Sequence, residues 1–127
     1  MKRQGVLAAA LAALLIGSSG PAWAAGDGFA AFWTAFSAAA GKNDRATIES
    51  LTKLEVPLGS DPDGPKTFTQ YYALYLTPKA RRCLAKTKPM RDATGGDVRY
   101  EAFCGPAIFS FAKVGGAWRF VDIGADD

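Results

Sequence analysis

The most reactive side chains in this chain belong to two cysteines, Cys83 and Cys104. Cys83 lies in the stretch PKARRCLAK among four cations: Lys79, Arg81, Arg82 and Lys86. Cationic neighbours can activate a thiol by lowering its pKa. A free nucleophilic thiol also needs a general base, and the sequence contains no histidine. We therefore predict a structural disulfide between Cys83 and Cys104, which constrains the unfolded chain by about 3 kcal/mol.

The absence of histidine excludes further chemistry. A Ser-His-Asp triad cannot form, and zinc or iron sites would need His or free Cys. We predict no metal and no cofactor. The remaining candidate for catalysis is Asp122, because a carboxylate on an apolar sheet face has a raised pKa and can act as a base. The simpler interpretation is an Asp122 that is solvated or paired with Arg99 or Arg119.

A loop of turn-forming residues resembles the start of a calcium site. Asp61, Asp63 and Gly64 have the spacing of such a loop, but the distal ligands, including a Glu, are missing. Prolines at positions 62 and 65 favour an ordinary surface turn.

The N-terminal residues predict export. A positive head is followed by an apolar run, residues 5–17, that is shorter than the roughly 20 residues needed to span a bilayer. Small residues at positions 22 and 24 predict a signal peptide, residues 1–24, cleaved after Ala24. Residues 25–127 would then form a single α+β domain without a transmembrane segment, periplasmic or secreted. Cleavage leaves 13 Lys and Arg against 12 Asp and Glu, which excludes a general attraction to nucleic acid.

Helical periodicity dominates the first part of this domain. One helix is predicted over residues 28–40, stopped by Gly41, and a second over residues 45–55 behind an Asp44 cap. Thr67 caps a third helix and Thr77 a fourth, with Pro78 at its first position. The first and third helices carry aromatic stripes: Phe29, Phe32, Trp33 and Phe36, then Phe68, Tyr71, Tyr72 and Tyr75. The inward stripe of the fourth consists of Ala80, Cys83 and Leu84.

From residue 97 onward the period changes to two, which predicts antiparallel strands. Gly115-Gly116 predicts a two-residue hairpin that places Phe111 opposite Phe120, and Phe109 opposite Asp122 on an aromatic face. Both sheet faces are largely apolar, so either both are covered, or one lines a cavity or a subunit contact such as a homodimer. Six aromatic residues are the candidate pocket lining: Trp33, Tyr72, Phe109, Phe111, Trp118 and Phe120.

A basic patch runs through the fourth helix and beyond it. It contains six cations and no acid: Lys79, Arg81, Arg82, Lys86, Lys88 and Arg91. We interpret it as the solvated outer face of an amphipathic helix, with contact to anionic lipid or an acidic partner as the alternative.

The order of these elements carries a family resemblance. An aromatic helix (FAAFWTAFSAAAGKND), a VPLG segment, a second aromatic helix and terminal strands (FSFAKVGGAWRFVDI) resemble small exported bacterial proteins of the nuclear-transport-factor-like, or ketosteroid-isomerase-like, cone fold within the cystatin-like group. The resemblance implies helices in the concave side of a curved antiparallel sheet, often around a pocket. Enzymes of that fold use an Asp or His base with a Tyr or second acid, and no such set matches here.

Three functions remain open. The first, which we favour, is non-catalytic binding of a small apolar ligand or an envelope protein. The second is an isomerase or dehydratase with a carboxylate base. The third is an envelope-interaction protein that uses the basic helix.

Overall fold

The computed structural model describes residues 27–125, so the predicted signal peptide lies outside the described residues. Four helices come first: α1 (Phe29–Lys42), α2 (Arg45–Ser50), α3 (Phe68–Tyr75) and α4 (Pro78–Leu84). Four strands follow: β1 (Met90–Asp92), β2 (Arg99–Cys104), β3 (Ala107–Val114) and β4 (Ala117–Ala125). They form one antiparallel sheet in the order β1-β2-β3-β4. The predicted α+β class is confirmed, as is the disulfide, with 5.7 Å between the Cα atoms of Cys83 and Cys104.

The core lies between α1 and the inner face of the sheet. Phe36 of α1 meets Phe111 of β3 edge to face with ring centroids 5.1 Å apart, and Phe29 stacks on Tyr100 of β2 at 3.7 Å. Leu76 and Leu84 complete the buried cluster from the α3–α4 side. The predicted aromatic stripe of α1 is therefore the side that the helix buries.

Local capping rules place most helix ends. The side chains of Asp44, Thr67 and Thr77 each accept a hydrogen bond from a backbone N–H three residues on, as predicted. The predicted stop at Gly41 is wrong, because α1 continues to Lys42 and ends at Asn43 with φ of 56°. Gly41 instead lies where the chain approaches α4: an added Cβ would be 3.2 Å from that of Ala85.

The second helix is shorter than predicted because the sheet recruits its last turns. After Ser50 the backbone extends and runs parallel to β4, with a bridge between Thr52 and Phe120. Lys53 N–H donates to the Phe120 carbonyl at 2.8 Å, and Glu55 N–H to the Val121 carbonyl at 2.9 Å. Residues 51–55 thus cover the outer edge of β4.

The β3–β4 hairpin is confirmed next to its turn and wrong further away. Phe111 lies opposite Phe120 as predicted, but a bulge in β4 then shifts the register by one residue. Asp122 therefore lies opposite Ser110, and Ile123 takes the place opposite Phe109. Because a shift of one residue changes the face of the sheet, Asp122 does not lie opposite Phe109 on the aromatic face, as predicted, and its side chain is exposed.

The outer face of the sheet mixes polar and apolar side chains. Its exposed apolar residues include Phe103 and Val114, at 41% and 39% exposure. Beside them lie Glu101, Arg119 and Arg99, and Arg99 forms an ion pair of 3.0 Å with Glu55. The prediction of two largely apolar faces is thus wrong for this face, which resembles the wet side of an antiparallel sheet.

The hairpin turn requires a positive φ at Gly116, and this requirement can be tested. Both turn glycines have positive φ, 62° at Gly115 and 86° at Gly116, which is the geometry of a type I′ turn. We expect Gly116→Ala to lower the free energy of unfolding by roughly 1–2 kcal/mol, because an L residue is strained there. Urea denaturation of parent and variant measures this.

Gly95→Ala is the matched control. An added Cβ meets nothing within 4 Å at either glycine, and Gly95 does not have a positive φ in that strained range. The control should unfold at about the parent's urea concentration. Equal losses in the two variants would contradict the proposed turn geometry.

Candidate functional site

The aromatic residues predicted to line a pocket are mostly packed in the core. Phe109, Phe111 and Phe120 are fully buried, so solvent does not reach them. Tyr72 is buried too, and its hydroxyl donates to the side-chain oxygen of Asn43 at 2.7 Å. Side chains therefore fill the space between α1 and the sheet around these residues. Trp33 is the member of the set that reaches an aromatic surface cleft.

That cleft lies between the first turns of α1 and the chain entering β1. Its volume is about 400 Å³, within the size range of small-molecule sites. Three aromatic side chains form its apolar floor, of which Trp33 is half-buried and the other two are almost fully buried, and four residues of the segment 87–91 form its rim. The floor consists of Phe29, Trp33 and Tyr100, and the rim of Thr87, Lys88, Pro89 and Arg91. A flat apolar group fits such a floor, because aromatic faces give large contact areas.

Asp27 holds the floor in place. Its carboxylate accepts hydrogen bonds from the Tyr100 hydroxyl at 2.7 Å and from the Phe29 backbone N–H at 2.9 Å. Its backbone carbonyl accepts from the Trp118 indole N–H at 2.7 Å. These bonds tie the start of α1 to β2 and β4. Burial, and then the bond to Asp27, raise the pKa of Tyr100, while nearby Arg91 opposes the rise.

The rim of the cleft is positively charged. Lys88 and Arg91 are exposed, and the single ion pair within residues 27–125 joins Arg99 to Glu55. Neither rim cation therefore forms an ion pair with a described carboxylate. A ligand with an anionic group could supply the missing partner through charge-assisted hydrogen bonds.

The other predicted basic residues differ in their surroundings. Arg81 is partly buried, donates to the Leu76 carbonyl at 2.6 Å and lies 5.6 Å from the centroid of the Tyr72 ring. It therefore helps to cap α3 and packs as a structural cation. Lys79, Arg82 and Lys86 are exposed on α4 and the turn after it.

A second, smaller cavity brings Asp122 near two tyrosines. It has a volume of about 190 Å³, and Asp122, Tyr71 and Tyr75 contribute to its lining. Burial first, and then the charge of Asp122, raise the pKa of Tyr71, so this phenol stays protonated at neutral pH. Asp122 itself is exposed to solvent in this cavity, whose other lining residues are mostly apolar.

The calcium-like sequence folds as a turn that satisfies its own polar groups. The Asp61 carboxylate accepts from the Asp63 backbone N–H at 3.0 Å. The Lys66 ammonium group donates to the carbonyls of Asp61 and Pro62 at 2.7 and 2.8 Å. The carbonyl oxygens of Asp61 and Pro62 thus accept hydrogen bonds from a cation of the protein itself, Lys66. Over residues 27–125, no group of three or more metal-binding side chains is close enough to hold a metal ion.

No helix in the part of the chain that the structure describes is long and apolar enough to cross a bilayer. No protein family, curated protein or solved structure matches the chain. The site is therefore interpreted from its own geometry.

Sequence reasoning missed the cleft because β1 has only three residues. Lys88 and Arg91 were recognised as cations, but nothing in the sequence indicated that residues 90–92 pair with β2. That pairing places Arg91 opposite Tyr100 and brings the rim over the aromatic floor. The alternation of Val98, Tyr100 and Ala102 was the available signal that Tyr100 faces inward.

The Tyr100–Asp27 hydrogen bond can be tested by a substitution that removes only the phenolic oxygen. We expect Tyr100→Phe to lower the free energy of unfolding by about 1.5 kcal/mol, because it removes a hydrogen bond to a carboxylate. Urea denaturation at neutral pH measures the loss. Tyr75→Phe is the control, since the described residues offer its hydroxyl no hydrogen bond, and it should change stability little.

The difference in stability between the parent and the Tyr100→Phe variant should depend on pH. The unfolded phenol ionises near pH 10, and the pKa of folded Tyr100 is higher, so its contribution is complete below about pH 10. That contribution is lost as pH rises through the folded pKa. The stability difference between parent and Tyr100→Phe should therefore narrow above about pH 10. A difference that stays constant would contradict the assigned bond.

Proposed function

We propose that this chain is an exported, non-catalytic binding protein whose cleft holds a small apolar ligand with an anionic group. One observation carries the proposal: a cleft lined by three aromatic side chains, with Trp33 the one that is partly exposed, also contains two cations that form no ion pair with a described carboxylate. The floor selects a flat apolar body, and Lys88 and Arg91 select the charge.

The expected energetics are those of a moderate-affinity site. Burying about 150 Å² of apolar ligand surface contributes roughly 4 kcal/mol before the costs of association are counted. A charge-assisted bond from Arg91 or Lys88 contributes about 1 kcal/mol in this partly solvated setting. Pre-organisation helps, because the Asp27 bonds already fix the floor.

The lining of the cleft favours binding over catalysis. It contains no carboxylate and no thiol, and its phenol is engaged with Asp27. A carboxylate-base enzyme would have to use the smaller cavity, where Asp122 lies with Tyr71 and Tyr75. Exposure of Asp122 makes that alternative the weaker one.

Export is part of the proposal. The disulfide between Cys83 and Cys104 supports folding in an oxidising compartment, periplasmic or extracellular, after removal of residues 1–24. The layout of helices against an antiparallel sheet is in keeping with the cone fold that the sequence resembles, and membership of that fold group stays a proposal. An envelope protein in the cleft, or a homodimer through the outer sheet face, is the alternative partner.

Ligand charge provides the test of binding. We expect 2-naphthoate to bind at least fivefold more tightly than neutral 2-naphthylmethanol, because Lys88 and Arg91 lie beside the same aromatic floor. Quenching of tryptophan fluorescence or calorimetry measures both affinities. Lys88→Gln with Arg91→Gln should abolish the preference for the anion while the neutral compound still binds.

The controls separate charge from shape. Trp33→Ala should weaken both compounds, because it removes part of the floor. Arg45→Gln with Lys53→Gln removes the same charge at residues that do not line the cleft and should leave the preference intact. If neither compound binds the parent, or if both charge variants behave alike, the cleft is not the proposed site.

Export has its own test. We expect the protein recovered from the periplasm of a bacterial host to have the mass of residues 25–127 with both cysteines oxidised, and hence no thiol that reacts after denaturation. Mass spectrometry with alkylation measures both. An intact N-terminus, or two alkylated cysteines, would refute this part of the proposal.

A further inference from the structure

Charge is strongly segregated in this molecule. Helix α1 and the segment 79–91 together contain seven cations and no acid, and we name them the basic layer. These cations are Lys42, Lys79, Arg81, Arg82, Lys86, Lys88 and Arg91. The rest of the described chain contains ten acids and six cations. More than half of the 13 cations in residues 27–125 therefore belong to these two segments, although the mature protein is near neutral overall.

The two parts of the basic layer are neighbours in space. Ala85 lies against Gly41 near the end of α1, and Lys88 and Arg91 share the cleft with Trp33 and Phe29 near its start. The segment after α4 therefore runs back along α1. The two parts form one surface, and the aromatic cleft opens at one end of it.

The side chains of this surface suit a broad, flat partner. Residues 79, 82 and 86 follow the helical spacing i, i+3 and i+7, so they project from one side of α4 and the turn after it. The exposed residues of α1 are small: Ala31, Thr34, Ala35 and Ala38. Small side chains let a flat surface approach closely, and flexible cations beside them can reach many anions.

We propose that the basic layer docks on a bilayer surface rich in anionic phospholipid and so turns the mouth of the cleft toward the lipid. A net charge near zero gives the whole protein no long-range attraction, whereas clustered cations act within a Debye length of about 8 Å. A broad anionic surface engages all the exposed cations at once. An acidic protein segment would be narrower and would contact only some of them.

The docking does not depend on the proposed cleft ligand. Lys79, Arg82 and Lys86 belong to the basic layer and do not line the cleft. Their substitution therefore tests docking alone, and naphthoate binding by the same variant reports separately on the cleft. Failure of one proposal leaves the other measurable.

The test is co-sedimentation of the exported protein with vesicles. We expect binding to phosphatidylcholine vesicles that contain phosphatidylglycerol, weak binding to phosphatidylcholine alone, and loss of binding as salt rises. Each cation near an anionic surface contributes about a fivefold change in partitioning. Lys79→Gln, Arg82→Gln and Lys86→Gln together should therefore lower partitioning about a hundredfold.

A charge-matched control decides whether position matters. Arg45→Gln, Lys53→Gln and Lys113→Gln remove three exposed cations outside the basic layer and should lower partitioning much less. Thermal unfolding should be similar in both triple variants, because all six residues are exposed. Equal losses in the two variants, binding to neutral vesicles as strong as to anionic ones, or binding to polyglutamate but not to vesicles would overturn the proposal.

Discussion

The structure depends on the packing of one aromatic helix face against one aromatic sheet face. Phe29 stacks on Tyr100, and Phe36 lies between Phe111 and Phe120. Because both faces consist of large rings, they fill the space between helix and sheet, and the central pocket that the sequence suggests is replaced by core. Partly exposed aromatic surface remains beside the first turns of α1, at the half-buried Trp33. The candidate cleft is thus a consequence of where this packing ends.

The start of α1 shows how few polar contacts are needed to orient such a core. Ring packing gives much contact area but tolerates sliding, whereas hydrogen bonds require defined positions. Asp27 receives three of them, from the Tyr100 hydroxyl, the Trp118 indole and the Phe29 backbone. These bonds tie the start of α1 to β2 and β4. The same contacts hold the cleft floor, because the Tyr100 hydroxyl and the Phe29 backbone N–H are two of the donors.

Sequence rules succeeded where the determining interactions are local. We predicted three helix caps and the glycine turn, which depend on residues close in the chain. We also predicted the disulfide, because only one pairing of two cysteines is possible. The failures involve tertiary contacts. Residues 51–55 leave the helix because β4 offers an unpaired edge, and the bulge at Val121 follows no turn signal. For the same reason, sequence analysis identified Trp33, Lys88 and Arg91 as candidate residues but did not predict that they line one cleft.

The fold explains only part of the basic layer. Arg81 and Arg82 lie in the last turn of α4, where cations interact favourably with the helix dipole, and Arg81 also caps α3. Lys79 lies in the first turn of α4, where the dipole disfavours a cation. Lys86, Lys88 and Arg91 follow the helix and have no ion-pair partner among the described residues. Of the cations without a structural role, Lys88 and Arg91 line the cleft, where an anionic ligand or surface would pair with them.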